Sequence, residues 1–223
     1  MAGSNTLWTD KDAAQAVAGT ATGNWSVTGM SIDSRSVCQG DLFIALSGDN
    51  GDGHAYVADA IKKGASAAVV SKKIEGVPDD KLLIVPDTFK ALQQLGRASR
   101  ARTAAKIIAV TGSVGKTGTK EMLAAAFATV GQTHASIKSF NNHWGVPFAL
   151  SSMHAGSDFG IFEVGMNHAD EITPLSQMIH PDIAIITTVE SVHAGNFPNG
   201  EEGIADAKAE IFDGMDAGAT VIK

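Results

Sequence analysis

Apolar and polar residues follow two different patterns along the chain. Up to about residue 103, short apolar runs are separated by polar and glycine-rich turns, which is typical of short strands and helices. From residue 106 onward, continuous apolar runs alternate with amphipathic segments, which predicts buried parallel strands covered by helices on both faces. The change predicts two domains, over residues 1–104 and 105–223.

The spacing of apolar positions predicts individual elements in each half. In the first half, it predicts helices over 7–19, 54–63 and 88–102, and strands over 27–32, 41–46, 67–70 and 82–85. In the second half, it predicts strands over 106–110, 133–136, 159–164, 182–189 and from 219, and helices over 117–129, from about 145, 170–179 and 201–215. The order predicts an α/β fold, with a small α/β domain followed by a mostly parallel sheet of the P-loop type.

The strongest chemical signal lies between the strand over 106–110 and the helix over 117–129. A glycine turn in this position lets backbone N–H groups converge on an anion at a helix N-terminus. We expect Lys116 to reach the outer phosphates of a nucleoside triphosphate and the Thr117 hydroxyl to face Mg²⁺. The predicted nucleotide-binding residues are Thr111, Gly112, Ser113, Val114, Gly115, Lys116, Thr117 and Gly118. Because two residues rather than four separate the glycines, a chance Gly-Lys-Thr is the alternative.

Two candidate metal-binding residues follow later strands of the same predicted sheet. Ligands of open parallel sheets bind beyond the carboxyl ends of the strands, and Glu163 and His193 both stand there. Glu163 is predicted to contact Mg²⁺ or its water, the alternative being a carboxylate that caps the next turn. His193 is either a surface group or a ligand. Because Mg²⁺ prefers oxygen, a ligand role for it requires a second divalent site or an indirect contact.

Lys208 is unusual because it stands in the middle of an apolar helical stripe that includes Ile204 and Phe212. A charged amine on an inward helix face is costly unless it is paired. Lys208 therefore either extends its ammonium to the edge of the helix or enters the active site as a charge partner for phosphate or metal.

Two polar pairs have both a structural and a functional interpretation. Asn141 and Asn142 precede the helix at 145, where paired amides contact a polar substrate or serve as turn and N-cap groups. Ser34 and Arg35 follow an early strand together with Ser31 and Asp33, and the same alternatives apply.

The composition narrows the function classes. The formal net charge of the 223 residues is −7, without a basic run, which disfavours broad nucleic-acid binding. No apolar run approaches membrane-spanning length, and the first residues lack the features of a signal peptide. The single cysteine, Cys38, is compatible with a reducing cytoplasm.

Taken together, these segments resemble the Mur ligases, which add amino acids to the peptide of the cell-wall precursor. In the first half the resemblance rests on residues 31–35, 40–46 and 52–54. In the second half it rests on the loop over 111–117, whose short glycine spacing is the family's own. Residues 120–122, 141–147 and 162–168 resemble the branch of the family that adds D-alanyl-D-alanine.

The resemblance implies a cytoplasmic, ATP-dependent ligase with a UDP-precursor domain over 1–104 and an ATP-binding central domain over 105–223. ATP would activate the terminal carboxylate of UDP-N-acetylmuramoyl-tripeptide as an acyl phosphate, which the amine of D-alanyl-D-alanine would then attack. The implied roles are ATP phosphate binding for Lys116, one Mg²⁺ for Thr117 and Glu163, a second Mg²⁺ for His193, and a carbamylated metal ligand for Lys208. Ser34 and Arg35 would contact the UDP part, and Asn141 and Asn142 the precursor.

Family members also carry a third domain and further strands of the central sheet, whereas this sequence stops in an apparent strand. The resemblance therefore implies the front part of a longer enzyme, with little ligase activity in the 223 residues alone. Two other classes stay open: a different P-loop nucleotide enzyme, and a non-catalytic module that holds a UDP-sugar through residues 1–104.

Overall fold

Two units of the chain each have their own sheet and their own apolar core. The computed structural model describes residues 5–48, 51–137, 140–192 and 194–223. Contacts divide the chain into Met1–Ala98 and Ser99–Lys223. The division falls inside the helix Thr88–Ala101, a few residues before the position at which the sequence pattern changes.

The first unit is built on a five-stranded mixed sheet. The strands of the whole unit, within and outside this sheet, are β1 Trp8–Thr9, β2 Thr20–Ala21, β3 Ser26–Val27, β4 Gly29–Ser31, β5 Asp41–Ile44, β6 Ser47–Gly48, β7 Gly51–Asp52, β8 Ala67–Val70 and β9 Leu82–Ile84. Its helices are α1 Asp10–Val17, α2 Val57–Lys62 and α3 Thr88–Ala101, with 3₁₀ turns at Gly53–Tyr56 and Asp79–Lys81. The main sheet has the order β2-β9-β8-β5-β4, and only β2 is antiparallel to its neighbour.

Two local predictions in this unit have clear outcomes. The first helix begins later than the predicted residue 7, because the Thr9 hydroxyl accepts a hydrogen bond from the backbone N–H of Asp12 and caps a helix that starts at Asp10. The single strand predicted over 27–32 is wrong, because β3 pairs with β1 whereas β4 pairs with β5 in the main sheet.

The second unit is a five-stranded, fully parallel sheet. Its strands are β10 Lys106–Thr111, β11 Thr133–Ala135, β12 Phe159–Glu163, β13 Ile183–Ile186 and β14 Thr220–Ile222. Its helices are α4 Lys116–Phe127, α5 Gly145–Ser151, α6 Ile172–Ile179 and α7 Glu201–Ala209, with 3₁₀ turns at Ala194–Asn196 and Glu210–Gly214. The strand order is β11-β12-β10-β13-β14, which puts the strand before the glycine loop at the centre.

Apolar clusters cover both faces of this sheet. Ile107 and Ala109 of β10 belong to a core that includes residues of α5, α6 and α7. Ile108 and Val110 point to the other face, where they pack with Leu123 and other residues of α4. The alternation along one strand explains the continuous apolar runs, and the predicted α/β class with helices on both faces is confirmed.

The helix predicted over 201–215 ends early, at Ala209, and continues as a 3₁₀ turn. The Glu210 carboxylate accepts hydrogen bonds from the backbone N–H groups of Asp170, Ile172 and Thr173, which lie at the start of α6. The turn is therefore held by a contact distant in sequence.

Within the described residues, no helix is long and apolar enough to cross a membrane.

Candidate active site

The glycine loop joins the carboxyl end of β10 to the N-terminus of α4. Gly112 and Gly115 have φ values of +147° and +85°, in the region that side chains other than glycine rarely adopt. Gly115 is the N-cap of α4 and provides no side-chain hydrogen bond. The first-turn N–H groups of Lys116, Thr117 and Gly118 therefore face the loop without an acceptor in the helix, as an anion site requires.

The loop is fastened to the segment that follows β13. The Thr187 hydroxyl donates to the Val114 carbonyl at 2.6 Å. The Ser113 hydroxyl accepts from the backbone N–H of Glu190 at 2.9 Å and donates to its carbonyl at 3.0 Å. The backbone N–H of Ser113 donates to the Thr188 carbonyl. The polar groups of Ser113 thus anchor the loop, and the Thr111 side chain is buried at the end of β10.

Lys116 opens α4 with its side chain folded over the loop. Its ammonium donates to the carbonyl oxygens of Gly112 at 2.5 Å and Ser113 at 3.4 Å. Partial burial lowers the pKa of Lys116, while the negative charge of Glu163 opposes that shift. The predicted cation therefore lies at the mouth of the loop, on the same side as the carboxylate of β12.

Glu163, the last residue of β12, is 1% exposed and is held by two side chains. One carboxylate oxygen accepts from the Thr117 hydroxyl at 2.8 Å, and the other from the Asn141 amide at 2.7 Å. The structure thus brings together Thr117 and Glu163, which the resemblance assigned to one Mg²⁺.

The donor chemistry of this pair suits a magnesium ion. A hydroxyl and a carboxylate are hard oxygen ligands, and Mg²⁺ is usually held by one or two protein groups together with substrate phosphates and water. Among the residues that the structure describes, no group of three or more His, Cys, Asp or Glu side chains could hold a metal ion. Thr117 and Glu163 together offer two oxygen donors, so nucleotide phosphates and water would complete the coordination of an ion held by this pair.

Lys208 of α7 lies in the same cleft as Lys116. The cleft has a volume of about 160 Å³ and is lined by Gly112, Ser113, Lys116, Asn141, Asn142, Gly165, Met166, Asn167, Glu171, Val192 and Lys208. Lys208 is only 3% exposed. Burial lowers its pKa to about 8, and the charge of Lys116 adds to the shift. Its place in the cleft favours the active-site interpretation over an ammonium that extends to solvent.

Replacing Lys208 with methionine is expected to stabilise the chain at neutral pH. The pKa of Lys208 is about 8 in the folded chain, against 10.5 as its ordinary value. At pH 7 Lys208 is mostly protonated in both states, so the folded state carries most of the cost of the buried charge, about 3 kcal/mol. Because Met is also a flexible unbranched chain, we expect Lys208→Met to raise the free energy of unfolding by about 2 kcal/mol at pH 7.

The pH dependence separates this effect from improved packing. As pH rises from 8 to 10.5, folded Lys208 has lost its proton while the unfolded chain still holds it, so the wild-type stability rises. The advantage of Lys208→Met must then shrink, which urea unfolding at pH 7 and pH 9.5 measures. An advantage that stays constant between the two pH values would contradict the assigned cause.

The two asparagines have different surroundings. The side-chain amide of Asn141 donates to Glu163, and the backbone carbonyl of Asn141 accepts from the N–H of Gly165 at 2.8 Å. The side-chain oxygen of Asn142 accepts from the N–H groups of Trp144 and Gly145, so it supports the turn that begins α5. Both line the cleft, but only Asn141 contacts the carboxylate of the candidate metal site.

Of the three other predicted residues, two belong to the first unit and one lies outside the described residues. His193 lies outside the described residues. In the first unit, the Ser34 carbonyl accepts from the Lys63 ammonium at 2.9 Å. The exposed Arg35 guanidinium pairs with the Asp33 carboxylate at 2.7 Å. Lys120 belongs to the motif over 120–122, but the sequence assigned no role to it or to Ser136, and both lie beside the metal pair. The i, i+4 spacing of Lys120 from Lys116 was the available signal.

Comparison with known proteins decides the family. A model of the Mur ligase middle domain matches residues 110–223, and a model of the Mur ligase family, catalytic domain, matches residues 26–126. The chain belongs to the Mur ligase family. The resemblance described from its motifs is therefore confirmed.

Curated relatives within the family are named UDP-N-acetylmuramoyl-tripeptide–D-alanyl-D-alanine ligase. The one from Rickettsia prowazekii is 42% identical over 206 residues, which are 92% of this chain and 45% of the relative. The one from Bacillus subtilis is 36% identical over 190 residues, or 85% of this chain and 41% of the relative. The Mur ligase chain thus spans less than half the length of these relatives.

Solved structures agree with the fold. MurF from Acinetobacter baumannii matches with a TM-score of 0.82 and 34% identity, over 96% of this chain and 48% of that one. MurF ligase from Thermotoga maritima, crystallised in complex with ADP, matches with a TM-score of 0.70 and 26% identity, over 86% of this chain and 44% of that one.

Proposed function

We propose that this chain is part of an ATP-dependent ligase that joins D-alanyl-D-alanine to UDP-N-acetylmuramoyl-tripeptide in cell-wall precursor synthesis. The observation that carries the proposal is the 2.8 Å pairing of Thr117 with Glu163 beside Lys116, at a helix N-terminus without a side-chain cap. The names of the relatives support the substrates, and the ADP complex of the Thermotoga maritima ligase supports the nucleotide.

The first chemical step transfers a phosphoryl group to a carboxylate. A carboxylate oxygen of the tripeptide attacks the γ-phosphorus of ATP, and the bond from that phosphorus to the β-phosphate oxygen breaks. ADP departs, and the tripeptide carries an acyl phosphate. Negative charge on the transferring group is stabilised by the Lys116 ammonium and by the first-turn N–H groups of α4. A Mg²⁺ ion held by Thr117 and Glu163 would supply further positive charge and orient the phosphates.

The second step forms the amide bond. The amine of D-alanyl-D-alanine attacks the acyl carbon, the carbon–oxygen bond to phosphate breaks, and inorganic phosphate leaves as the nitrogen loses its proton.

Lys208 faces the same cleft with a pKa of about 8, so a part of it is neutral near neutral pH. A neutral amine adds CO₂ and releases a proton, and the carbamate so formed would present oxygen ligands to a metal ion.

The remaining roles follow the family resemblance. We assign Ser34 and Arg35 to the UDP part, Asn141 and Asn142 to the precursor near the ATP site, and His193 to a second Mg²⁺. The single cysteine is consistent with a cytoplasmic enzyme, and neither nucleic acid nor membrane insertion is part of the proposal.

Glu163→Gln tests the metal part of the proposal. We expect the wild-type chain to bind ATP more tightly with Mg²⁺ than with EDTA, and the variant to lose at least ~10-fold of that gain, since an amide is a weaker metal ligand than a carboxylate. Isothermal titration calorimetry measures both affinities. Glu202→Gln, an exposed carboxylate in the first turn of α7, is the matched control and should leave the gain unchanged.

Titrations of the wild-type chain with ATP and with the UDP-linked precursor distinguish the other function classes. Binding of the UDP-linked precursor without any ATP binding would indicate a UDP-sugar module and overturn the ligase proposal. Binding of ATP together with failure to bind the precursor would indicate a different P-loop enzyme. The ligase proposal requires both ligands to bind.

A further inference from the structure

Lys120 is a fully buried lysine in the second turn of α4, with 0% of its surface exposed. Burying an ammonium group costs several kcal/mol unless hydrogen bonds and charge compensate it. Its Nζ donates to the Ser136 carbonyl at 2.7 Å and lies 2.9 Å from a carboxylate oxygen of Glu121. An apolar side chain would fill this position at a lower cost in folding free energy. The contact of the lysine with Ser136 therefore explains its presence better than packing does.

Ser136 continues the contact from α4 to the strand that carries Glu163. It directly follows β11, and its own side chain is 2% exposed. Its hydroxyl accepts a hydrogen bond from the backbone N–H of Glu163 at 3.3 Å, and its N–H donates to the Ile161 carbonyl at 3.0 Å. The backbone of Ser136 therefore contacts α4, and its hydroxyl contacts the last residue of β12.

The two oxygen donors of the proposed metal site come from those same two elements. Thr117 belongs to the first turn of α4 and Glu163 to the end of β12, so their 2.8 Å contact depends on how the helix sits against the strand. The path from Lys120 through Ser136 to Glu163 connects the same elements one helical turn further on.

We propose that Lys120 and Ser136 are positioning residues that hold the Thr117 hydroxyl and the Glu163 carboxylate at the spacing a bound Mg²⁺ requires. Neither residue is among the described residues that line the cleft, so we assign both a positioning role rather than a contact with the nucleotide. The proposal rests on the proposed function, in which this pair holds Mg²⁺ beside ATP.

The identity of the cation offers a readout that simple loss of stability does not change. Mg²⁺ demands near-ideal octahedral geometry with oxygens at 2.0–2.1 Å, whereas Ca²⁺ accepts longer and more variable distances. A small relaxation between α4 and β12 should therefore weaken Mg²⁺-dependent binding of ATP more than Ca²⁺-dependent binding.

The experiment compares Lys120→Met and Ser136→Ala with the wild-type chain by calorimetric titration of ATP in EDTA, Mg²⁺ and Ca²⁺. We expect the affinity in EDTA to stay within ~2-fold of the wild type. The gain from Mg²⁺ should fall about 10-fold in Lys120→Met and about 3-fold in Ser136→Ala, and the gain from Ca²⁺ should fall less. Ser152→Ala, which removes a hydroxyl bonded to the Phe148 carbonyl in α5, is the matched control.

The outcomes separate this inference from the proposed function. A wild-type chain without Mg²⁺-dependent ATP binding would overturn both. A wild type that shows this dependence, with Ser136→Ala and Lys120→Met equal to it, would overturn the positioning role alone. Equal losses with both cations would also overturn it, as they indicate general support of the fold. If Lys120→Met does not fold, Ser136→Ala decides, because it removes only one hydroxyl.

Discussion

Lys116→Met is expected to lower the affinity of the chain for ATP by about 100-fold. The ammonium lies at the mouth of the glycine loop, within 2.5 Å of the Gly112 carbonyl, where it can turn to the outer phosphates. Removing a partly buried positive charge from a phosphate site costs about 2–3 kcal/mol, which corresponds to that change in affinity. Methionine keeps much of the side-chain volume and leaves the loop backbone unchanged.

Titration calorimetry with Mg²⁺ and ATP measures this change. Lys106→Met is the matched control, because Lys106 lies at the other end of the same strand and pairs with Asp182 on the surface. The control should bind ATP like the wild type, and both variants should keep their folded circular dichroism spectra. An affinity of Lys116→Met within ~5-fold of the wild type would show that Lys116 does not bind phosphate.

Gly112→Ala is expected to lower the free energy of unfolding by about 3 kcal/mol. Gly112 has a φ of +147°, and an added Cβ would lie 1.9 Å from the hydroxyl oxygen of Thr187. The backbone strain alone costs of order 1–3 kcal/mol. To make room, Thr187 must also give up its hydrogen bond to the Val114 carbonyl, so the loop loses one of its anchors.

Gly118→Ala provides the opposite expectation in the same loop–helix segment. An added Cβ at Gly118, in the first turn of α4, would enter open space beyond its own helix among the described residues. Since alanine favours a helix over glycine by up to ~1 kcal/mol, this variant should be as stable as the wild type or slightly more so. Urea unfolding followed by circular dichroism measures both, and equal stability of the two variants would refute the steric argument.

The core of the site was predictable where its signals are local. The strand, glycine turn and helix of the loop lie within one residue of the predicted starts, because an apolar run followed by glycines and a helix-forming run specifies that order. The burial of Lys208 was also predictable, since the 3.6-residue period of its apolar neighbours determines which face of α7 points inward.

Contacts between distant segments were not predictable from such signals. The sequence predicted one helix over 201–215, but Glu210 is drawn to the N-terminus of α6 and the helix ends at Ala209. The assignment of Ser113 to the nucleotide stays a prediction, but the contact of its hydroxyl with the backbone of Glu190, 77 positions away, was not predicted. Neither partner leaves a mark on the local pattern.

By itself, the sequence determined the family, the α/β class, the glycine loop and the residue types that carry the chemistry. Only the tertiary structure decided that β12 lies next to β10, which brings Glu163 to Thr117 across 46 positions of chain. Likewise, it decided that the buried ammonium of Lys120 contacts Ser136. The physical reason is that periodicity reports which face of an element is buried, whereas strand order and register depend on packing among all elements at once. Hydrogen bonds between the ends of neighbouring strands and helices follow from that packing.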